Sequence, residues 1–151
     1  DEIVKMLEYG VAHGVEVRYL ELMGMGPLHN NDDYKLVSME EMLERISDKY
    51  DVQPVSAETD STSLKYWVPG GYFGIIPNNS APFCSTCSRL RLTSNGQLIG
   101  CLSNPKPISV RHLLEQADPA DALQKLVKRS VSYKQDVVFT GSSLVMSRVG
   151  G

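Results

Sequence analysis

The sequence predicts an α/β fold: the last helix–strand unit of a partial (β/α) TIM-like barrel, followed by a small α+β domain with an antiparallel hairpin. Three observations predict it. The chain opens helix-then-strand, with Ile3, Met6, Leu7 and Val11 at helical spacing and "VEVRYLELM" following Gly14. A lone parallel-type strand cannot satisfy its backbone, so such a unit belongs to a set of strands with helices over both faces. Further on, short apolar runs alternate with turn residues, and Asn95-Gly96 joins two of them as a tight hairpin.

The elements follow in order. Gly14 can end the first helix, and Val15, Val17 and Tyr19 give the next segment strand character. "GMGPLHNNDDYKLV" is turn-rich and polar, an active-site loop or a linker. "SMEEMLERISDKY" carries a capping box, Ser38 with Glu41, and an apolar stripe at Met39, Met42, Leu43 and Ile46. "PVSAETDSTS" reads as loose linker. "LKYWV", "YFGII", "RLRLT" and "QLIGCL" read as short strands, with Trp67 in the core and an extended loop from Pro77 to Pro82. Ser109 caps a short helix; Asp118-Pro119 opens another, with Leu123, Leu126 and Val127 inward. The ending "GSSLVMSRVGG" is strand-like with a Gly-Gly tip. His13 and His29 read as surface loop residues. This divides the chain into 1–30, the end of the barrel, 31–60, a helical linker, and 61–151, a C-terminal domain.

Composition bounds the function. With 151 residues, 42% hydrophobic and 22% charged, the chain can bury a core without disulfide support. No apolar run is long enough to span a bilayer and no leader is visible, so a cytoplasmic protein with no membrane partner is expected. The chain begins at Asp1 inside a helical pattern, as a piece of a longer protein would. Net charge is −3, but from Ser61 to Leu114 there is no acid, while Lys65, Arg89, Arg91, Lys106 and Arg111 carry +5 and leave −8 on the rest. A basic island in an acidic protein focuses field on an anion. Five scattered cations and a sequence pI of 5.6 make a poor nucleic-acid footprint.

The chemistry concentrates in "PFCSTCSRLRLTSNGQLIGC". It holds all three cysteines, as CxxC-x13-C, with two arginines one residue apart. Such a set indicates metal or redox chemistry in a reducing compartment, not a disulfide framework. Alternation sets Arg89 and Arg91 on one strand face, and the hairpin returns Cys101 toward Cys84 and Cys87. A structural zinc wants a fourth ligand, for which only His112 is near in sequence. A four-iron cluster on three thiolates leaves one iron open for another molecule, and a pair of arginines suits phosphate oxygens. An electron-relay cluster domain and a Cys3His zinc interaction module remain as alternatives.

"FCSTCSRLRLTSNGQLIGCL" resembles the C-terminal cluster motif of the GTP 3′,8-cyclase family, radical S-adenosylmethionine enzymes of molybdenum cofactor biosynthesis. "VRYLELM" resembles that family's last barrel strand, and "MSRVGG" its double-glycine tail. The resemblance covers essentially the whole chain, as the C-terminal half. It implies that Cys84, Cys87 and Cys101 bind a [4Fe–4S] cluster whose open iron takes the guanine of GTP. Arg89, Leu90 and Arg91 would contact GTP from the phosphate side, and Met23 would touch S-adenosylmethionine. Arg18 would face the active site, and Gly150 and Gly151 would reach into it. The family's CxxxCxxC radical cluster and S-adenosylmethionine site belong to an N-terminal half, and this sequence has no cysteine left to make that motif. The chain alone is therefore expected to be inactive, with that half as partner and a homodimer as the full-length assembly. "KRSVSYKQDVVFT" matches the family poorly, and no functional residue is expected there. Before the resemblance, Met23 reads as core. Arg18, inside an apolar strand, needs a partner such as Glu21 or an acid on another strand.

Overall fold

A computed structural model describes residues 2–30, 35–56, 61–135 and 138–149. The chain divides into two units, one of 1–22 with 35–83, the other of 23–34 with 84–151. The expected boundary at 61 thus falls inside the first unit, because the strands after it join the sheet of the first strand of the chain, one of them pairing with it directly.

In the first unit, α1 (Ile3–His13) ends at Gly14, whose φ of 65° is the left-handed cap that glycine adopts freely. Leu7 is buried, whereas Met6 is half-exposed and turned away from the core. β1 (Val17–Leu20) runs parallel to β4 (Gly71–Ile76); β4 pairs antiparallel with β3 (Leu64–Val68), and β3 with β2 (Gln53–Val55). The result is a four-stranded mixed sheet in the order β1-β4-β3-β2, with β1 at an edge. The segment around Pro54 and Val55, expected as linker, is strand because β3 supplies its partner. α2 (Met39–Ser47) buries Met42 and Ile46 and packs Met39 and Leu43 against the same core as Leu7, Val68, Phe73 and Ile75. Ser38 accepts the Glu41 N–H at 3.2 Å, but the Glu41 carboxylate pairs with Arg45. Trp67 is only half-buried; Phe73 takes the central place, stacked on Tyr66.

The second unit holds a three-stranded antiparallel sheet, β5 (Arg91–Leu92), β6 (Gln97–Ile99) and β7 (Ile108–Ser109), and the helix α3 (Ala120–Val131). Asp118 accepts the Ala120 N–H at the start of α3, as Asp-Pro suggests, but Leu123 is exposed and only Leu126 and Val127 are half-buried. A 3₁₀ turn over Arg111–Glu115 replaces the short helix, and Val110, not Ser109, stands at its cap. The ending is not a strand: Ser142 makes a single parallel bridge to Met25, and Met146–Arg148 is a 3₁₀ turn. Met25, Leu98, Ile99, Leu113 and Val149 form the buried apolar set of this unit. No helix among the described residues is long and apolar enough to cross a membrane.

Candidate functional site

The Cys84–Thr86 stretch is a single 3₁₀ turn, and the Cys87 N–H donates to the Cys84 carbonyl at 3.2 Å. Both thiols are free and half-buried. The Cys87 sulfur accepts the Arg89 N–H, and Lys134 Nζ lies 3.4 Å from it. The same Nζ donates to the Arg89 carbonyl at 2.6 Å. Burial raises the Cys87 thiol, but the Arg89 N–H and the Lys134 ammonium outweigh it and hold it below the ordinary thiol range. Cys84 is pushed the other way, by burial and then by Cys101 and Cys87.

Cys101 arrives by the hairpin. Arg91 lies opposite Ile99 and Leu92 opposite Leu98 across β5 and β6, and Cys101 follows two residues after Ile99. Gly96 makes the turn at φ 75°, with its N–H donating to the Thr93 carbonyl at 2.9 Å. A Cβ at Gly100 would sit 2.0 Å from the Ser130 carbonyl oxygen, so only glycine lets the strand leading to Cys101 pass the end of α3.

The three free thiols are near enough for Cys87 and Cys101 to act electrostatically on Cys84. Among the described residues, however, no three metal-ligating side chains form a group that could hold a metal ion. A single zinc draws its thiolates to about 2.3 Å from itself, whereas a multi-iron cluster takes one thiolate per iron and spaces them more widely. The all-thiol donor set fits a cluster in kind. His112 is exposed on its 3₁₀ turn.

Arg89, Leu90 and Arg91 are half-buried beside Cys87 in sequence, Arg91 on the paired strand. The rest of the basic island disperses. Lys65 belongs to the first unit, pairs with Glu16 at 3.0 Å and lies over the Tyr72 ring. Lys106 lies over the Tyr133 ring, and Arg111 packs its methylenes against Gly96.

Arg18 is not a buried charge. It stands on the edge strand, its side chain 61% exposed and bonded to Glu16 at 2.8 Å. Glu21 is the buried one: it is fully buried and accepts N–H groups from Met39, Asn79 and Ser80 and the Ser80 hydroxyl. Met23 is half-buried and belongs to the second unit. His13 is exposed at the end of α1, stacked on Tyr9, while His29 is half-buried against Gly141. Gly150 and Gly151 lie outside the described residues.

Residues 15–140 match the family described as Molybdenum Cofactor Synthesis C. The chain belongs to this family. Within it, the chain is 35% identical over 112 residues to the GTP 3′,8-cyclase of Synechocystis sp., covering 74% of this chain and 34% of that one. It is 33% identical over 129 residues to the GTP 3′,8-cyclase of Staphylococcus haemolyticus, covering 83% and 38%. With the enzyme of that name from Staphylococcus epidermidis, identity is 32% over 140 residues, covering 90% and 41%. The chain thus spans between a third and two-fifths of the length of these relatives.

Sequence reasoning missed two residues of these constellations. Glu21 had a signal, an acid at the end of an apolar strand, where a carboxylate must find donors. Lys134 had none, because it reaches the cysteines from a segment without a motif.

Proposed function

We propose that this chain is the substrate-holding half of a GTP 3′,8-cyclase of molybdenum cofactor biosynthesis, working in the cytoplasm. Cys84, Cys87 and Cys101 hold a [4Fe–4S] cluster, and Arg89, Leu90 and Arg91 bind the phosphate side of GTP. The observation that carries the reading is the Cys87–Arg89 unit. Lys134 Nζ lies 3.4 Å from the Cys87 sulfur, which also accepts the Arg89 N–H, in the turn from which the arginine-bearing strand departs. Family membership and relatives named for acting on GTP support it. When bound, the cluster supplies an iron without a protein ligand, a Lewis-acidic position for a base heteroatom. The protein's own part is binding and orientation. Two guanidiniums can fix the phosphates bidentately, and holding both ends of one nucleotide aligns its ribose and base for ring closure.

The radical chemistry belongs to an N-terminal half that binds S-adenosylmethionine and a second [4Fe–4S] cluster, in a full-length homodimer. β1 is compatible with such a neighbour, since among the described residues it stands at the edge of its sheet. An unpaired edge is a template for further strands, as in a barrel continued beyond this chain. Met23 would face the S-adenosylmethionine, Arg18 the active site, and Gly150 and Gly151 would close over the nucleotide. Without that half the chain binds substrate but does not turn it over.

The test compares GTP with guanosine at fixed salt. Arg89→Ala or Arg91→Ala removes a charge-assisted contact of roughly 1.5–3 kcal/mol, so GTP affinity should fall about ten- to a hundredfold, and guanosine affinity far less. Equal loss of both ligands would make the arginines structural and favour an electron-relay domain.

A further inference from the structure

The geometry points to Lys134 as the positioning residue that fixes Cys87 and the backbone of Arg89 as one unit. Its Nζ is 3.4 Å from the Cys87 sulfur and 2.6 Å from the Arg89 carbonyl oxygen. The Arg89 N–H closes the figure by donating to the same sulfur. A single ammonium therefore spans the thiol and the residue two positions on, at the point where the chain passes from the CxxC turn into β5. Lys134 lies just beyond α3, on a turn where its N–H donates to the Val131 carbonyl at 2.9 Å. Nearby, Asn104 donates to the Tyr133 carbonyl at 3.1 Å, tying this turn to the loop after Cys101.

The consequence is twofold. Lys134 fixes the Arg89 backbone relative to Cys87, because that backbone cannot shift without breaking the 2.6 Å bond. Were a cluster bound through Cys87, the same ammonium would set a positive donor against a ligand sulfur and would favour the more negative, reduced state, because donors to ligand sulfurs tune cluster potentials. The potential argument rests on the proposed cluster reading; the tether does not.

Two measurements on the intact protein test it. In cluster-free protein, amide hydrogen exchange across residues 87–92 should quicken about tenfold in Lys134→Met, while α3 keeps its protection as a control for folding. Lys134→Arg, which keeps both charge and donors, should largely restore it. In anaerobically loaded protein, Lys134→Met should shift the reduction equilibrium about tenfold toward the oxidised state, a fall of about 59 mV for one electron. Unchanged exchange at 87–92 overturns the assignment of Lys134 as the tether, and an unchanged potential in a loaded protein overturns its electrostatic role. If the wild-type chain takes up no iron, the cluster reading fails by itself, and hydrogen exchange still decides the role of Lys134.

Discussion

Glu21 is a carboxylate without access to water, so its four donors decide its state. Burial raises it, but the Ser80 hydroxyl and the N–H groups of Ser80, Asn79 and Met39 together bring it below the ordinary glutamate range. One of those donors is the first amide of α2, so the charge also sits at the favourable end of a helix dipole. A lowered folded-state pKa means that the stabilisation is present above the unfolded value near 4.3 and is lost as pH falls through the folded one. Glu21→Gln should therefore cost roughly 2–3 kcal/mol at neutral pH, since its amide cannot satisfy the same donors. Urea titrations at a series of pH values should show the gap between variant and wild type closing as the pH falls below 4. A constant gap would mean that the lost contact is steric. The sequence allowed Glu21 only as a partner for Arg18. Which acid is buried depends on how the 77–80 turn folds over the end of β1, and no local pattern encodes that.

The hairpin is the element on which the site depends, and it was legible because its signal is local. Asn95-Gly96 set the turn, and the register follows from it. The strand β5 is shorter than the five residues of "RLRLT", because the backbone around Arg89 turns back to the Cys87 sulfur before it can join the ladder. At the far end of the hairpin, Gly100 meets the Ser130 carbonyl. Gly100→Ala forces β6 and α3 apart, and overpacking of this kind costs about 1–3 kcal/mol. Thermal unfolding should show that loss, and iron uptake should fall with it, because Cys101 is the next residue. A wild-type melting profile in Gly100→Ala would mean that the approach to α3 is not tight in solution. The C-terminal segment read as a strand from its composition, but only Ser142 finds a partner, and the chain then coils. β2 was missed for the opposite reason, a partner supplied by residues distant in sequence.

At the scale of the whole molecule, the acid-free stretch of the sequence overstated the anion site. Its cations belong to two units, and Lys65 is occupied by Glu16 in the first. What remains, all in the second unit, is three free half-buried thiols, two half-buried arginines and Lys134, which touches Cys87 and the Arg89 carbonyl. The cysteines were legible from spacing alone, whereas Lys134 required the fold. If the three thiols together hold one iron–sulfur cluster, as proposed, the metal content of the chain follows. The most direct measurement is iron and sulfide content per chain after anaerobic reconstitution, in the wild type and in single Cys84→Ala, Cys87→Ala and Cys101→Ala variants. The wild-type chain should hold about four irons, and each variant should lose most of them. One zinc per chain, or iron that survives the loss of Cys101, would contradict it.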